Sequence, residues 1–161
     1  MRIFAAIFCL CFGAAAKPDE VTSGPPKGTL VIVGGNDKDQ LCFKKFIKLA
    51  GGKKARIAIV TTASSSNRDF DYVNHSQVKM AREKLGLTKV AALHTHDRAK
   101  ADTEEFVEPL QKADAVWFTG GRQWRLVDAY AGTRTEKAFN EVLARGGIVG
   151  GSSAGATIQG T

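Results

Sequence analysis

The chain has 161 residues, 43% of them hydrophobic, and a formal net charge of +7, which suits one domain with a well-buried core. The basic residues are scattered, with few aromatics between them and no nucleic-acid motif. This excludes a nucleic-acid partner and leaves a solvated surface with a weak attraction for acidic molecules.

Residues 1–16 read as a secretory signal peptide. Arg2 gives a basic start, residues 3–12 are almost purely apolar, and Ala14-Ala15-Ala16 offers an A-x-A cleavage site. Lys17 ends the run short of the roughly 20 apolar residues that a spanning helix needs. The expected location is therefore secreted or periplasmic, with no stable membrane association after cleavage; the alternative is an uncleaved N-terminal anchor. Cleavage would remove Cys9 and Cys11 and leave Cys42 alone, so no internal disulfide is expected. Cys42 lies at helical spacing with Phe46 and Leu49 and reads as a buried structural thiol.

Residues 17–28 carry Pro, Ser, Gly and Lys and read as a linker. From there strands and helices alternate. Residues 29–33 form a β-branched run stopped by Gly34-Gly35. Residues 41–50 read as a helix, 56–61 as a second strand, and 70–85 as a helix closed by Gly86. Residues 89–93 form a third strand. Asp102 and Glu105 form a capping box for a helix through Lys112. Residues 115–118 are a fourth strand stopped by Gly120-Gly121, 135–145 a helix stopped by Gly146-Gly147, and Ile148-Val149 a fifth, very short strand.

Strands that are apolar on both faces, each followed by a helix, predict a doubly wound parallel sheet with helices on both faces. Ligands then bind beyond the carboxyl ends of the strands. Four small-residue segments fall there: Gly34-Gly35-Asn36, residues 61–66, residues 120–123 and Gly151-Ser152-Ser153. Residues 64–67 are expected to line the rim of the site without a covalent role.

Gly151-Ser152-Ser153-Ala154-Gly155 fits G-x-S-x-G after a strand and before a helix, the setting of a nucleophile turn. Ser153 would be exposed at its tip, and the Ala154 N–H would face a developing oxyanion. The bland reading is a Ser/Gly-rich helix entry that binds an anion or merely turns the chain. The glycine pair in Phe118-Thr119-Gly120-Gly121-Arg122-Gln123 could offer a second N–H, with Arg122 and Gln123 holding a carboxylate or amide.

These segments, with residues 30–35 and 57–64, resemble the cyanophycinase and aspartyl-dipeptidase group of serine peptidases in order and spacing from about Gly28 onward. The resemblance implies a flavodoxin-like, class I glutamine-amidotransferase-like fold and hydrolysis of a peptide or isopeptide bond through an acyl-enzyme on Ser153. It implies oxyanion donors on the backbones of Gly121 and Ala154, and substrate-binding residues Gln123, Arg122, Gly35 and Asn36. No cofactor is implied. The substrate would be a small peptide or peptide polymer; a homodimer is left open.

Two departures matter. The family usually has Asp or Asn where this chain has Arg122, and an arginine there repels the arginine side chains of cyanophycin and favours an acidic substrate. The family's catalytic histidine and acid follow the nucleophile, whereas His75, His94 and His96 all precede Ser153. The 161 residues are thus expected to be the N-terminal part of a longer enzyme and inactive by themselves, since a serine without a base is a weak nucleophile. His94, His96 and Asp97 lack a third ligand of suitable spacing, so no metal site is expected. Two other readings stay open: a non-catalytic small-molecule or anion-binding domain on this fold, and an α/β-hydrolase esterase.

Overall fold

A computed structural model describes residues 27–67 and 69–160. The expected signal peptide and nearly all of the linker lie outside the described residues. The strands are β1 (Thr29–Val33), β2 (Ile57–Val60), β3 (Val90–Leu93), β4 (Ala115–Phe118) and β5 (Ile148–Ser152). They form one parallel sheet in the order β1-β5-β4-β2-β3.

Alternation along the central strands divides the core into two layers. Ala58 and Val60 of β2, Val116 and Phe118 of β4 and Val149 of β5 face one side. Helices α3 (Arg98–Ala101), α4 (Glu104–Gln111), α5 (Gln123–Tyr130), α6 (Arg134–Ala144) and the short α7 (Ala154–Thr157) place buried residues in that layer. Ile57 and Ile59, Ala115 and Trp117, and Ile148 face the other side, under α1 (Leu41–Leu49) and α2 (Ser76–Lys79). There the Trp117 ring meets the edges of Phe43 and Phe46, with centroids 5.0 and 4.9 Å apart. Helices thus cover both faces, as the strand pattern requires.

Several local expectations change. The helix expected over residues 70–85 starts at Ser76, because residues 70–75 are non-helical with a turn at Val73-Asn74, and it continues as a π-wound turn over Met80–Lys84. The capping position before α4 is Thr103, whose hydroxyl accepts from the Phe106 N–H. Asp102 instead ends α3 and accepts from the Arg134 N–H at 2.7 Å. Residues 123–130, assigned no element from sequence, form α5. Cys42 is half-buried against the Trp117 layer, not fully enclosed.

The fifth strand differs most. It runs five residues and lies in the middle of the sheet, paired with β1 on one side and β4 on the other. Both of its edges are therefore paired. The outer strands are β1 and β3.

Candidate active site

The site forms where β1, β5, β4 and β2 end side by side. Val33 pairs with Ser152, Phe118 with Gly151 and Val60 with Phe118, so the loops after these strands emerge together.

Ser153 stands at the turn between β5 and α7. Its backbone has φ 52 and ψ −115, a conformation that a residue with a side chain adopts only when its surroundings enforce it. Here they do. The Ser153 N–H donates to the Val33 carbonyl at 2.8 Å, and its carbonyl accepts from the Ala156 and Thr157 N–H groups. Glycines let the flanking chain close in. A methyl on Gly151 would lie 2.4 Å from the Gly155 carbonyl oxygen, and one on Gly155 would lie 2.2 Å from the Phe118 carbonyl oxygen. The result is an exposed Ser153 side chain on a tightly held turn.

The loop after β4 is held just as closely. A methyl on Gly120 would lie 3.5 Å from Ser153 Cβ and 3.5 Å from the Ser152 carbonyl oxygen, which puts this glycine against the serine turn. Gly121 has φ 140. Arg122 N–H and Arg125 Nη1 both donate to the Ala63 carbonyl, at 2.9 and 3.0 Å, tying the loops after β2 and β4 together. Among the described residues, the N–H groups of Gly121 and Ala154 donate to no protein acceptor.

Arg122 and Gln123 begin α5, and both are exposed. The Arg122 guanidinium lies over the Trp124 ring, 5.3 Å from its centroid. Trp124 is itself 51% exposed. No sequence signal marked it, because residues 123–130 show no element in the sequence pattern that would place this ring beside Arg122. Gly35 and Asn36 lie in the loop after β1 with φ 142 and 52, both exposed. The Ser153 N–H bond to the Val33 carbonyl ties the start of this loop to the serine turn.

The histidines do other work. His75 is half-buried and caps α2: its Nδ1 accepts from the Gln77 N–H, and its Nε2 lies 3.2 Å from Ser64 Oγ. Ser64 Oγ also contacts Thr119 Oγ1 at 2.7 Å and the Gly120 carbonyl at 3.1 Å. His94 stacks on Tyr72 and lies beside Phe70 and His96. Burial, reinforced by the neighbouring His96, pulls its pKa down to about 4. His96 Nε2 lies 2.6 Å from the Ser65 carbonyl, and Asp97 caps α3 through the Ala99 N–H. Among the described residues, no group of three or more His, Cys, Asp or Glu side chains could hold a metal ion, and no histidine hydrogen-bonds Ser153.

Comparison with known proteins agrees with this architecture. The family model described as Peptidase family S51 matches residues 30–161. A cyanophycinase from Geminocystis herdmanii (strain PCC 6308) is 31% identical over 134 residues, covering 81% of this chain and 48% of that protein. A cyanophycinase from Synechococcus elongatus is 29% identical over 138 residues, covering 83% of this chain and 42% of that protein. Among solved structures, a peptidase from an acI-B1 actinobacterium superposes with a TM-score of 0.67 at 29% identity, over 81% of this chain and 55% of that one. A putative peptidase E protein from Listeria monocytogenes EGD-e gives a TM-score of 0.55 at 26% identity, over 82% of this chain and 61% of that one. The chain spans about half the length of the curated relatives it matches.

Proposed function

The chain belongs to peptidase family S51, and from that premise we propose that it carries the nucleophile half of a serine peptidase site. The observation that carries this reading is the strained, exposed Ser153 with a glycine loop pressed against it. Ser153 Oγ attacks the scissile carbonyl carbon, and a histidine supplied from outside these 161 residues takes its proton. The carbonyl π electrons move onto oxygen. That oxyanion is met by the N–H groups of Gly121 and Ala154, which have no protein acceptor among the described residues. When the tetrahedral intermediate collapses, the amine leaves with a proton from the histidine, and water then releases the acyl group by the reverse sequence.

None of the three histidines here suits the base role. His75 Nδ1 and Nε2 are both engaged, His94 is stacked among aromatic rings, and His96 holds the Ser65 carbonyl. In this reading the 161 residues alone turn over slowly or not at all, because general-base activation is typically worth 10²–10⁴-fold.

Arg122 favours an acidic peptide or polymer. Its guanidinium is exposed at the site rim and steadied over Trp124, where it can fork onto a carboxylate. Gln123, Gly35 and Asn36 complete the rim. Secretion to an extracellular or periplasmic space follows from the signal-peptide pattern of residues 1–16.

The test is active-site labelling. The product of the whole reading frame should react with a fluorophosphonate at Ser153, and Ser153→Ala should abolish the reaction while Ser152→Ala leaves it. Labelling that persists in Ser153→Ala and vanishes in Ser152→Ala would transfer the role to Ser152. No labelling of either serine would favour the anion-binding reading.

A further inference from the structure

Ser64 comes from the loop after β2, and the serine turn does not use it. Its hydroxyl nevertheless lies within hydrogen-bonding distance of three groups: His75 Nε2 at 3.2 Å, Thr119 Oγ1 at 2.7 Å and the Gly120 carbonyl oxygen at 3.1 Å.

The proton positions in this group follow from the partners. The Gln77 N–H can only donate, so His75 Nδ1 accepts and carries no proton. A neutral imidazole then bears its proton on Nε2 and donates to Ser64 Oγ. Burial supports the neutral form, since it holds the His75 pKa below the usual histidine value. The Gly120 carbonyl can only accept, so the Ser64 hydroxyl proton goes to it. Thr119 Oγ1, which is buried, donates to the remaining lone pair of Ser64 Oγ. Every donor and acceptor in the group is then satisfied, and one proton arrangement does it.

We infer that Ser64 is a positioning residue: by donating to the Gly120 carbonyl it fixes the Gly120–Gly121 peptide so that the Gly121 N–H faces away from it, toward the oxyanion position beside Ser153. The inference rests on the reading of Ser153 as nucleophile. Its geometry is elementary. The described chain contains no cis peptide bond, and in a trans peptide the carbonyl and the following N–H point to opposite sides. Holding one therefore aims the other. The peptide needs holding because glycine flanks it on both sides, and glycine leaves its rotation nearly free. The Arg122 N–H bond to Ala63 restrains the next peptide, not this one. The Gly121 N–H has no protein acceptor of its own to fix it among the described residues. His75 and Thr119 act one step further out, by leaving Ser64 Oγ with a single direction in which to donate.

The test uses the product of the whole reading frame with isotope-labelled glycine. It reads the residual dipolar coupling of the Gly121 N–H, which reports the orientation of that bond. Ser64→Ala should change this coupling while those of Gly86 and Gly146, which precede β3 and β5 at the other end of the sheet, keep their wild-type values, and Ser64→Thr should restore it. Ser64→Cys keeps the side chain's size and weakens its donor, so it serves if Ser64→Ala does not fold; it should also shift the coupling. An unchanged Gly121 coupling in a folded Ser64→Ala or Ser64→Cys protein overturns the inference. Fluorophosphonate labelling is measured alongside. Removing one oxyanion donor costs about 10²–10³-fold, so a misaimed donor should slow labelling of Ser153 by roughly 10–100-fold without changing the probe's non-covalent affinity. A shifted coupling with labelling at the wild-type rate also overturns it, because the N–H would then have no part in the reaction. If wild-type Ser153 takes no label, the hydrolase reading fails, and the dipolar coupling still decides whether Ser64 holds the peptide.

Discussion

Replacing Gly121 with alanine puts a methyl group where the backbone leaves no room for one. It would lie 2.0 Å from the Ala63 carbonyl oxygen, 2.4 Å from the Ala63 carbonyl carbon and 2.9 Å from Ser64 N. Carbon contacts are comfortable at about 3.5–4.0 Å. The obstacle is main chain, so no rotamer change relieves it. That main chain is also pinned, because the Ala63 carbonyl accepts from both Arg122 and Arg125 and the Ala63 side chain is fully buried. The backbone adds its own cost, since φ 140 lies in territory kept almost entirely for glycine. Conformational strain is worth about 1–3 kcal/mol and overpacking about as much again, so Gly121→Ala should cost about 3–5 kcal/mol. For a chain of this size that lowers the melting temperature by roughly 10–15 °C. The control is Gly34→Ala, at a position with nothing within 4 Å of the added carbon, which should stay within about 0.5 kcal/mol of wild type. Fluorescence of the buried Trp117 during urea and thermal unfolding gives the readout. A Gly121→Ala protein that melts within a few degrees of Gly34→Ala would refute the steric argument.

Further predictions follow from the same structure. Gly150→Ala should cost about 1–3 kcal/mol, because its methyl would lie 2.8 Å from the Trp117 ring and 2.9 Å from Phe46; combining it with Trp117→Phe should give a smaller loss than the two single changes added together, measured by urea unfolding. His94 has a folded-state pKa of about 4, below the roughly 6.5 of an unfolded histidine. Its contribution to stability is therefore complete above about pH 6.5 and is lost as pH falls toward 4, a loss of about 1–2 kcal/mol once partial exposure is allowed for; His94→Phe should flatten the urea midpoint across that window. Arg122→Asp in the product of the whole reading frame should shift the kcat/KM preference from acidic toward basic dipeptides, and equal rates on both before and after the change would remove Arg122 from substrate selection. Trp124→Ala, which takes away the ring under that guanidinium, should raise KM for acidic dipeptides and leave kcat unchanged.

Much of this protein is local and was legible in its residues. Short apolar runs, each stopped by a glycine pair or turn, mark the positions of all five strands, because the central strands, buried on both faces, have no polar face to present. The order of strand, helix and glycine loop along residues 28–160 leads to a parallel α/β sheet and to a serine turn at a strand's carboxyl end. The extent of β5 was not legible. Gly150, Gly151 and Ser152 have poor strand propensity, yet they continue the strand because β1 and β4 supply hydrogen bonds on both sides. Their smallness answers to distant neighbours, the Trp117 ring over Gly150 and the Gly155 backbone under Gly151. Strand order was equally hidden. Pairing partners are set by which crossovers pack their helices onto which face, so the last strand in sequence lies inside the sheet. The same cause hid the Ser64–His75–Gly120 group. Ser64 and Gly120 are separated by 56 residues, and only the side-by-side pairing of β2 and β4 brings their loops together. A motif made of neighbours in sequence can be read from the chain, whereas one made by sheet order exists only once the sheet has formed.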